Sequence, residues 1–481
     1  MSYETVIGLE IHAELNTKSK IFCSCSTKFG SKPNANTCPI CLGIPGTLPV
    51  LNEEVVRLAV KAGTALNCKI NKLNKMDRKN YFYPDLPKAY QTSQYDLPMC
   101  SGGYVEFEYE GDKKKVRLNR IHIEEDAGKL VHLEEEEVSL IDYNRVGVPL
   151  AEIVTEPDMR SPQEAVQFLR TLKAILEYSD ISDCKMEQGS LRCDANISIR
   201  KVGSDVLNTK VEIKNINSFK ELQKALEKEE KRQRELYSFG EEYKIKQETR
   251  RWDSGKGKTV PMRSKEDAHD YRYFPEPDLA PIIVYDEQIE EVKNSLPEMP
   301  DKKEIRFINE YGISQNEAEI IVDDKALAIY FEETLGFGAS PKATANWILG
   351  DILRLLKDKE LDTSEIPVKP EDLFKLMKMI DEGKISNTVG KEVFEEMFKT
   401  DRNADAIVAE KGLTQISSTD ELEKIIEDIF EKNPQSISDY AAGKTQSAGF
   451  LMGQVMKATK SKANPKVAKE LIEKKLKEKI S

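Results

Sequence analysis

Long apolar runs are missing from this chain of 481 residues. No stretch of about 18 consecutive apolar residues occurs, which excludes a transmembrane helix of the usual kind. The opening MSYETVIGLE lacks a basic stretch followed by an apolar one, so no secretory leader is expected there and the cytosol is the expected compartment. Glycine-rich phosphate cradles are missing as well. The GKT at 443–445 has Ser438 where the G-x-x-x-x-G-K-[ST] loop needs its first glycine, and the GKT at 257–259 has Trp252 there. No dinucleotide fingerprint follows a strand. A nucleotide bound by this chain is therefore expected on metal-bearing carboxylates of a sheet. A general basic surplus is absent too: net charge is −12 and the pI is near 5.3, which argues against non-specific coating of nucleic acid. The sign reverses only from Ala441 to Ser481, where ten lysines face three glutamates. Such a tail is either a solvated helix face or a contact for RNA or a partner.

Eight cysteines in a cytosolic chain do not read as a disulfide framework. Four of them cluster as Cys23-x-Cys25, twelve intervening residues, then Cys38-Pro-x-Cys41. Two short cysteine pairs flanking a loop can close a tetrahedral thiolate site around Zn²⁺, with four free thiols as the alternative. No ligand position is left open, so such a zinc would be structural. Cys68, Cys100, Cys184 and Cys193 are scattered and read as packing residues.

Residues 1 to about 290 alternate like strands, with two helices inserted: one opens at Ser161-Pro162-Gln163-Glu164 as a capping box and runs toward Tyr178, and one begins near Ser218. From about 291 to 399, and again from about 400 to 481, the pattern is helical. Three strand-like stretches carry polar residues. ETVIGLEIHAEL places Glu10 and His12 on one face, RIHIEEDAGK carries Glu124 and Glu125, and KVEIKNINSF carries Glu212. Carboxylates with an imidazole suit Mg²⁺ or Mn²⁺ holding nucleotide phosphates; solvated strand acids are the plainer alternative.

The segment RKNYFYPDLPKAYQTSQYDLP interleaves Arg78, Lys79 and Lys88 with Tyr81, Phe82, Tyr83, Tyr90 and Tyr95. Basic groups suit phosphate and aromatics stack on bases, although an aromatic loop packed on the sheet would look the same. QETRRWDSGKGKTVPMRSKEDAHDYRYFPEPDL adds Arg250, Arg251, Arg263 and Arg272, which suit anions or structural ion pairs.

GLEIHAEL, NTCPICLGIPGTLPVLN, RKNYFYPDLPKAYQTSQYDLP, IHIEEDAGK, DYNRVGVPLAEIV, MEQGSLRCDANISIR, VEIKNINSFK, QETRRWD and DYRYFPEPDL, followed by GKTQSAGFLMGQVMKATKSKANP, occur here in that order. Together they resemble the B-type family of bacterial tRNA-dependent amidotransferase subunits, over essentially the whole chain. There is no room for the large inserted domain of the archaeal E-type relatives. The resemblance implies an α+β fold: a glutamine synthetase-like antiparallel-sheet cradle at 1–290, a helical domain at 291–399 and a tRNA-binding tail at 400–481. It implies ATP-dependent phosphorylation and amidation of Asp-tRNA(Asn) or Glu-tRNA(Gln). With no amidase-like Ser-Gly-rich run here, ammonia would come from a partner glutaminase of the A type, with a small C-type protein clasping both.

Carried onto these positions, the resemblance gives Glu10, His12, Glu124, Glu125 and Glu212 to magnesium and Cys23, Cys25, Cys38 and Cys41 to a zinc knuckle. The expected catalytic residues are Glu125, Lys79 and Tyr81. Arg78, Lys88, Tyr90, Asp194, Asn196 and Lys214 are expected to hold ATP. Two other readings fit part of the sequence. A free-standing amide ligase for a small acid leaves the basic tail unused, and a zinc-stabilised RNA scaffold leaves the acidic strands unexplained.

Overall fold

A computed structural model describes residues 2–133, 138–262, 270–400, 402–414, 419–442, 444–459 and 463–480. The chain divides into two compact units, residues 1–303 and 304–481. In the first, the elements that position the site are β1 (Tyr3–Glu14), α1 (Glu53–Ala65), β2 (Asp77–Asn80), β3 (Tyr90–Ser93), β4 (Tyr104–Tyr109) and β5 (Asp112–Glu125). Then come β6 (Pro149–Thr155), α2 (Pro162–Tyr178), β7 (Leu191–Lys201), β8 (Val211–Lys214), α3 (Phe219–Ser238), β9 (Glu248–Asp253) and β10 (Lys258–Pro261). Among the described residues the second unit is helical throughout, so the α+β class holds.

A 10-stranded sheet runs β10-β9-β8-β7-β1-β6-β5 and ends on Cys100–Ser101 and Lys69–Ile70, with β4 paired to β5. The chain's first strand is thus central, antiparallel to β6 on one side and to β7 on the other. The sheet is not wholly antiparallel as expected: β8 and β9 run parallel. The reason is connectivity. A chain that re-enters a sheet in the same direction needs a long crossover, and α3 supplies it.

Strand alternation separates two faces. Odd-numbered residues of the central strands, among them Ile7, Leu9, Ile11, Ile123, Ile153, Cys193, Ala195, Ile197 and Ile213, are buried with Leu58 and Ala62 of α1, Phe168, Leu172 and Leu176 of α2, and Leu222 and Leu226 of α3. Burial of one such aliphatic side chain contributes roughly 1.5–3 kcal/mol, so this layer is the main stabilising core. Even-numbered residues form the opposite, polar face. β4 and β5 are joined by Glu110 and Gly111, both at positive φ (53° and 83°), the backbone of a two-residue hairpin turn.

Both inserted helices start as expected, with one change. Ser161 and Ser218 accept from the backbone N–H of Glu164 and Glu221. The returning carboxylates, however, take the N–H of Arg160 and Asn217, each one residue before the cap. In the second unit, Leu422, Ile426, Phe430, Leu451, Val455, Ile472 and Leu476 form a separate buried cluster. It is built by the amphipathic helices Thr419–Lys432, Gln446–Ala458 and Pro465–Ile480. No helix among the described residues is long and apolar enough to cross a membrane.

Candidate metal centre and nucleotide site

Register decides what the polar face presents. His122 of β5 is opposite Glu152 of β6, Glu152 is opposite His12 of β1, and His12 is opposite Arg192 of β7. The four residues make one row across four strands. His122 Nε2 lies 2.9 Å from Glu152 Oε2 and 3.7 Å from Glu124 Oε2. His12 Nε2 lies 3.5 Å from Glu152 Oε2, 3.6 Å from Glu124 Oε1 and 4.0 Å from Glu10 Oε1. Two sets of potential ligand atoms result, Glu10/His12/Glu152 and His122/Glu124/Glu152, each with its atoms within 4.8 Å of one another. Glu152 belongs to both.

Electrostatics fit a cation site. Burial pulls the His122 imidazole down, but Glu152 and Glu124 outweigh it and lift it to about 9. Burial would raise the Glu152 carboxyl, yet His122 and His12 hold it well below the usual range. Glu10 is raised by burial and by the nearby Glu152 charge. Three carboxylates and two imidazoles packed this closely are a charge cluster in need of compensation, and the His122 Nδ1 is buried without a hydrogen-bond partner. Oxygen donors with borderline nitrogens match Mg²⁺ or Mn²⁺.

The five residues expected as one ligand set are not brought together as one. Glu10, His12 and Glu124 meet here. Glu125 stands outside both sets because adjacent strand residues point to opposite faces. Its carboxylate takes the Lys88 ammonium and the Thr92 N–H (2.8 Å), and its carbonyl takes Gln91 Nε2 (2.8 Å). Glu212 also stands outside, since β7 separates β8 from β1. It accepts from Thr249 Oγ1 at 2.6 Å and lies 3.3 Å from Lys214 Nζ. Missing from the expected set were Glu152 and His122. Alternation within RIHIEE would have yielded His122, two residues before Glu124. Nothing local in PLAEIVT marks Glu152.

The expected nucleotide residues fall into two groups. At the β7–β8 end, Lys214 Nζ donates to Asp194 at 2.6 Å, and Asn196 is the register partner of Glu212. At the β2–β3 hairpin, Arg78 is locked by two 2.7 Å bonds to Glu276 and stacks 4.3 Å from the Tyr90 ring. Lys88 lies 4.9 Å from the same ring. Ser93 Oγ donates to Glu124 at 3.1 Å, so the hairpin is tied to the metal face. Lys79 points at the Tyr271 ring (4.9 Å), beside Tyr81. Burial, then the Asp85 and Glu124 charges, push the Tyr81 hydroxyl up, and burial, then Glu124 and Glu152, do so for Tyr273. These aromatics thus flank the carboxylate cluster. Arg263 lies outside the described residues.

The four clustered cysteines converge, their sulfurs within 4.8 Å of one another. The Cys38 N–H donates to Cys41 Sγ at 3.1 Å. The Cys41 thiol is pushed down to about 5, first by its hydrogen bond with Cys23. The donor set suits Zn²⁺. Beside it a cavity of about 190 Å³ is lined by Phe22, Cys41, Gly43, Lys88, Tyr90 and Glu125.

Comparison with known proteins settles the lineage. The family model of the GatB/GatE catalytic domain matches residues 5–290, and that of the GatB domain matches residues 329–476. The chain is 68% identical over 478 residues, 99% of its length and 100% of the relative's, to the B-type component of the aspartyl/glutamyl-tRNA(Asn/Gln) amidotransferase of Clostridium beijerinckii. This chain belongs to that GatB family. Other members are 59% identical (Thermoanaerobacter pseudethanolicus, 476 residues) and 55% identical (Thermodesulfovibrio yellowstonii, 478 residues), each aligned over 99% of this chain and 100% of the relative. The catalytic-domain match runs from within β1 to beyond β10, and so contains both candidate metal centres.

Proposed function

We propose that this chain activates and amidates the side-chain carboxyl of Asp-tRNA(Asn) or Glu-tRNA(Gln), using ATP and ammonia from a partner glutaminase. The observation that carries this reading is Glu152, shared by two imidazole–carboxylate ligand sets on one sheet face. A carboxylate does not expel oxide to an attacking amine. Phosphorylation gives it a leaving group, and ammonia then attacks the acyl phosphate. Glu10, His12, His122, Glu124 and Glu152 would hold Mg²⁺, which would offset the charge on the ATP phosphates as the γ-phosphoryl group passes to the carboxylate.

The chain's own groups do the rest. Lys214, steadied by Asp194 and Glu212, offers an ammonium at one edge of the face. Tyr81, Tyr271 and Tyr273 offer ring faces on which a base stacks, with Lys79 beside them. Arg78 keeps the hairpin in place through Glu276. Lys88 and Glu125 form a polar pair at the cavity wall, where Glu125 can accept a proton from the incoming nitrogen. Cys23, Cys25, Cys38 and Cys41 would hold zinc as a structural ion.

The glutaminase and a small third protein are the proposed partners, and the C-terminal unit is the proposed holder of the tRNA body. Lys457 is available there. Lys475 is engaged with Glu423 (3.4 Å) and with Glu427, so part of the basic surplus serves the tail's own packing. Lys460 and Lys462 lie outside the described residues. The test is a reconstituted complex given each misacylated tRNA with ATP and glutamine. Cleavage of ATP that depends on aminoacyl-tRNA, and amide formation that Glu152→Gln removes while glutamine hydrolysis persists, is the expected result. ATP cleavage indifferent to aminoacyl-tRNA would refute the reading.

A further inference from the structure

Lys20 is among the largest side chains with no solvent exposure at all (0%). It follows β1 and is gripped by backbone on both sides: its N–H donates to Cys25 O at 3.0 Å, and the Ile21 N–H donates to Gly147 O at 2.8 Å. Its ammonium donates to the carbonyls of Asn36 (2.7 Å) and Tyr143 (3.4 Å) and to Cys41 Sγ (3.7 Å). No carboxylate among the described residues forms an ion pair with it. Two other inward-facing lysines of this unit are paired with carboxylates, Lys88 with Glu125 and Lys75 with Asp77. A buried ammonium served by two carbonyls and a thiol is an uncompensated charge.

The surroundings are shaped around it. Asn36 is fixed by its N–H to Asn144 Oδ1 at 2.7 Å. Gly147, at φ +78°, lies alongside the stem: a Cβ there would stand 3.6 Å from Lys20 Cδ and 3.9 Å from Cys41 Cβ. The missing negative charge has one source within reach. Four thiolates around a divalent cation carry a net charge of −2, and one of the four sulfurs is the third acceptor of Lys20.

We infer that Lys20 is the buried counter-charge of the four-cysteine metal centre, donating to Cys41 Sγ and offsetting the excess negative charge of the metal-bound thiolates. The inference rests on the cysteines holding a metal. It makes the loop from Cys23 to Cys41 and the ammonium of Lys20 interdependent: the metal needs the lysine to disperse thiolate charge, and the lysine needs the metal to be tolerated in the core. Lys20 is a positioning residue, outside the amidation chemistry.

The full chain, wild type and Lys20→Met, is assayed for bound zinc by elemental analysis, then titrated with a chromophoric chelator. The wild type should hold one zinc, and Lys20→Met should bind it about 10- to 100-fold more weakly, the range for loss of an outer partner of a metal ligand. Cobalt-substituted protein supplies a readout that packing alone would not move. Without the N–H donor, Cys41 becomes more electron-rich, and the thiolate-to-cobalt band moves to longer wavelength. An unchanged affinity and band position overturn the role of Lys20 while leaving the metal centre standing. A wild-type chain without zinc overturns both. Should Lys20→Met fail to fold, wild-type protein labelled with an amine-acylating reagent decides. Lys20 is unreactive when zinc is bound and becomes reactive after zinc is stripped, with exposed Lys231 as the internal standard. Equal protection in both states overturns the inference.

Discussion

The two candidate metal centres are built by opposite means. The cysteine centre comes from one short loop, Cys23 to Cys41, in which a turn brings paired thiols together. The carboxylate centre comes from β1, β5 and β6, strands far apart in the chain, and exists only because their register aligns His12, Glu152 and His122. The soft centre can therefore assemble locally, whereas the hard one requires the completed sheet. Their surroundings differ in the same sense. The cysteine loop sets a lysine ammonium and the Cys38 N–H against Cys41 Sγ. The sheet centre leaves carboxylates and imidazoles to compensate one another until a cation arrives.

The sharpest break in this comparison should come from Glu152→Gln. Loss of a shared ligand at developing charge is expected to lower the amidation rate by about 10²–10³-fold. Isothermal titration with Mn²⁺ should show that affinity collapses, while circular dichroism shows the sheet retained. Glu125→Gln separates the roles further: it should impair amidation yet leave Mn²⁺ affinity near wild type, since Glu125 is engaged with Lys88 and Thr92. Equal loss of metal by both variants would return Glu125 to the ligand set.

Metal removal should divide the two centres. Cys38→Ser is expected to release zinc and speed amide hydrogen exchange through the Cys23–Cys41 loop. Exchange at Ile7, Leu9 and Ile11 of β1 should stay slow, because those amides sit in the sheet core. Amidation should fall by less than about tenfold, the loop being structural. A variant without zinc whose β1 amides also exchange freely would show that the knuckle supports the whole unit.

A third expectation concerns acidity. His122 is raised from 6.5 to about 9, so its contribution to stability is complete below pH 6.5 and is lost as pH rises through 9. Glu152 is depressed from 4.5, so its contribution is present above that value and is lost in acid. The metal-free protein should accordingly melt several degrees lower at pH 9 than at pH 6.5, and saturating Mn²⁺ should flatten that slope by replacing the protons. Calorimetry at the two pH values checks the sign. The smallest effect is expected of Thr249→Val, which removes one hydrogen bond to Glu212. It should cost about 1 kcal/mol in denaturant unfolding and leave Mn²⁺ binding unchanged if Glu212 lies outside the ligand sets.

Local features were legible in the sequence and long-range ones were not. Cysteine spacing and the serine caps of α2 and α3 depend on neighbours within a few residues, and their positions follow directly from it. The even face of β7 is equally plain from its alternation. Adjacency groups Glu125 with Glu124, although strand geometry sends neighbours apart. Glu152 stays invisible because a single acid in an apolar strand gains meaning only from the residues across from it. The parallel pairing of β8 and β9 is hidden for the same reason: direction in a sheet is a property of the connection.

The central position of β1 also governs how the protein is made. Tyr3–Glu14 leaves the ribosome well before its partners, which end at Thr155 on one side and Lys201 on the other. At bacterial synthesis rates of about 5–20 residues per second, the strand waits on the order of ten seconds or more for both edges. During that time Ile7, Leu9 and Ile11 have no sheet to cover them, and the strand's free edges can pair with any extended chain nearby. Nascent chains stalled before Lys201 should therefore recruit holding chaperones at β1, and release them only when β7 emerges to close the second edge.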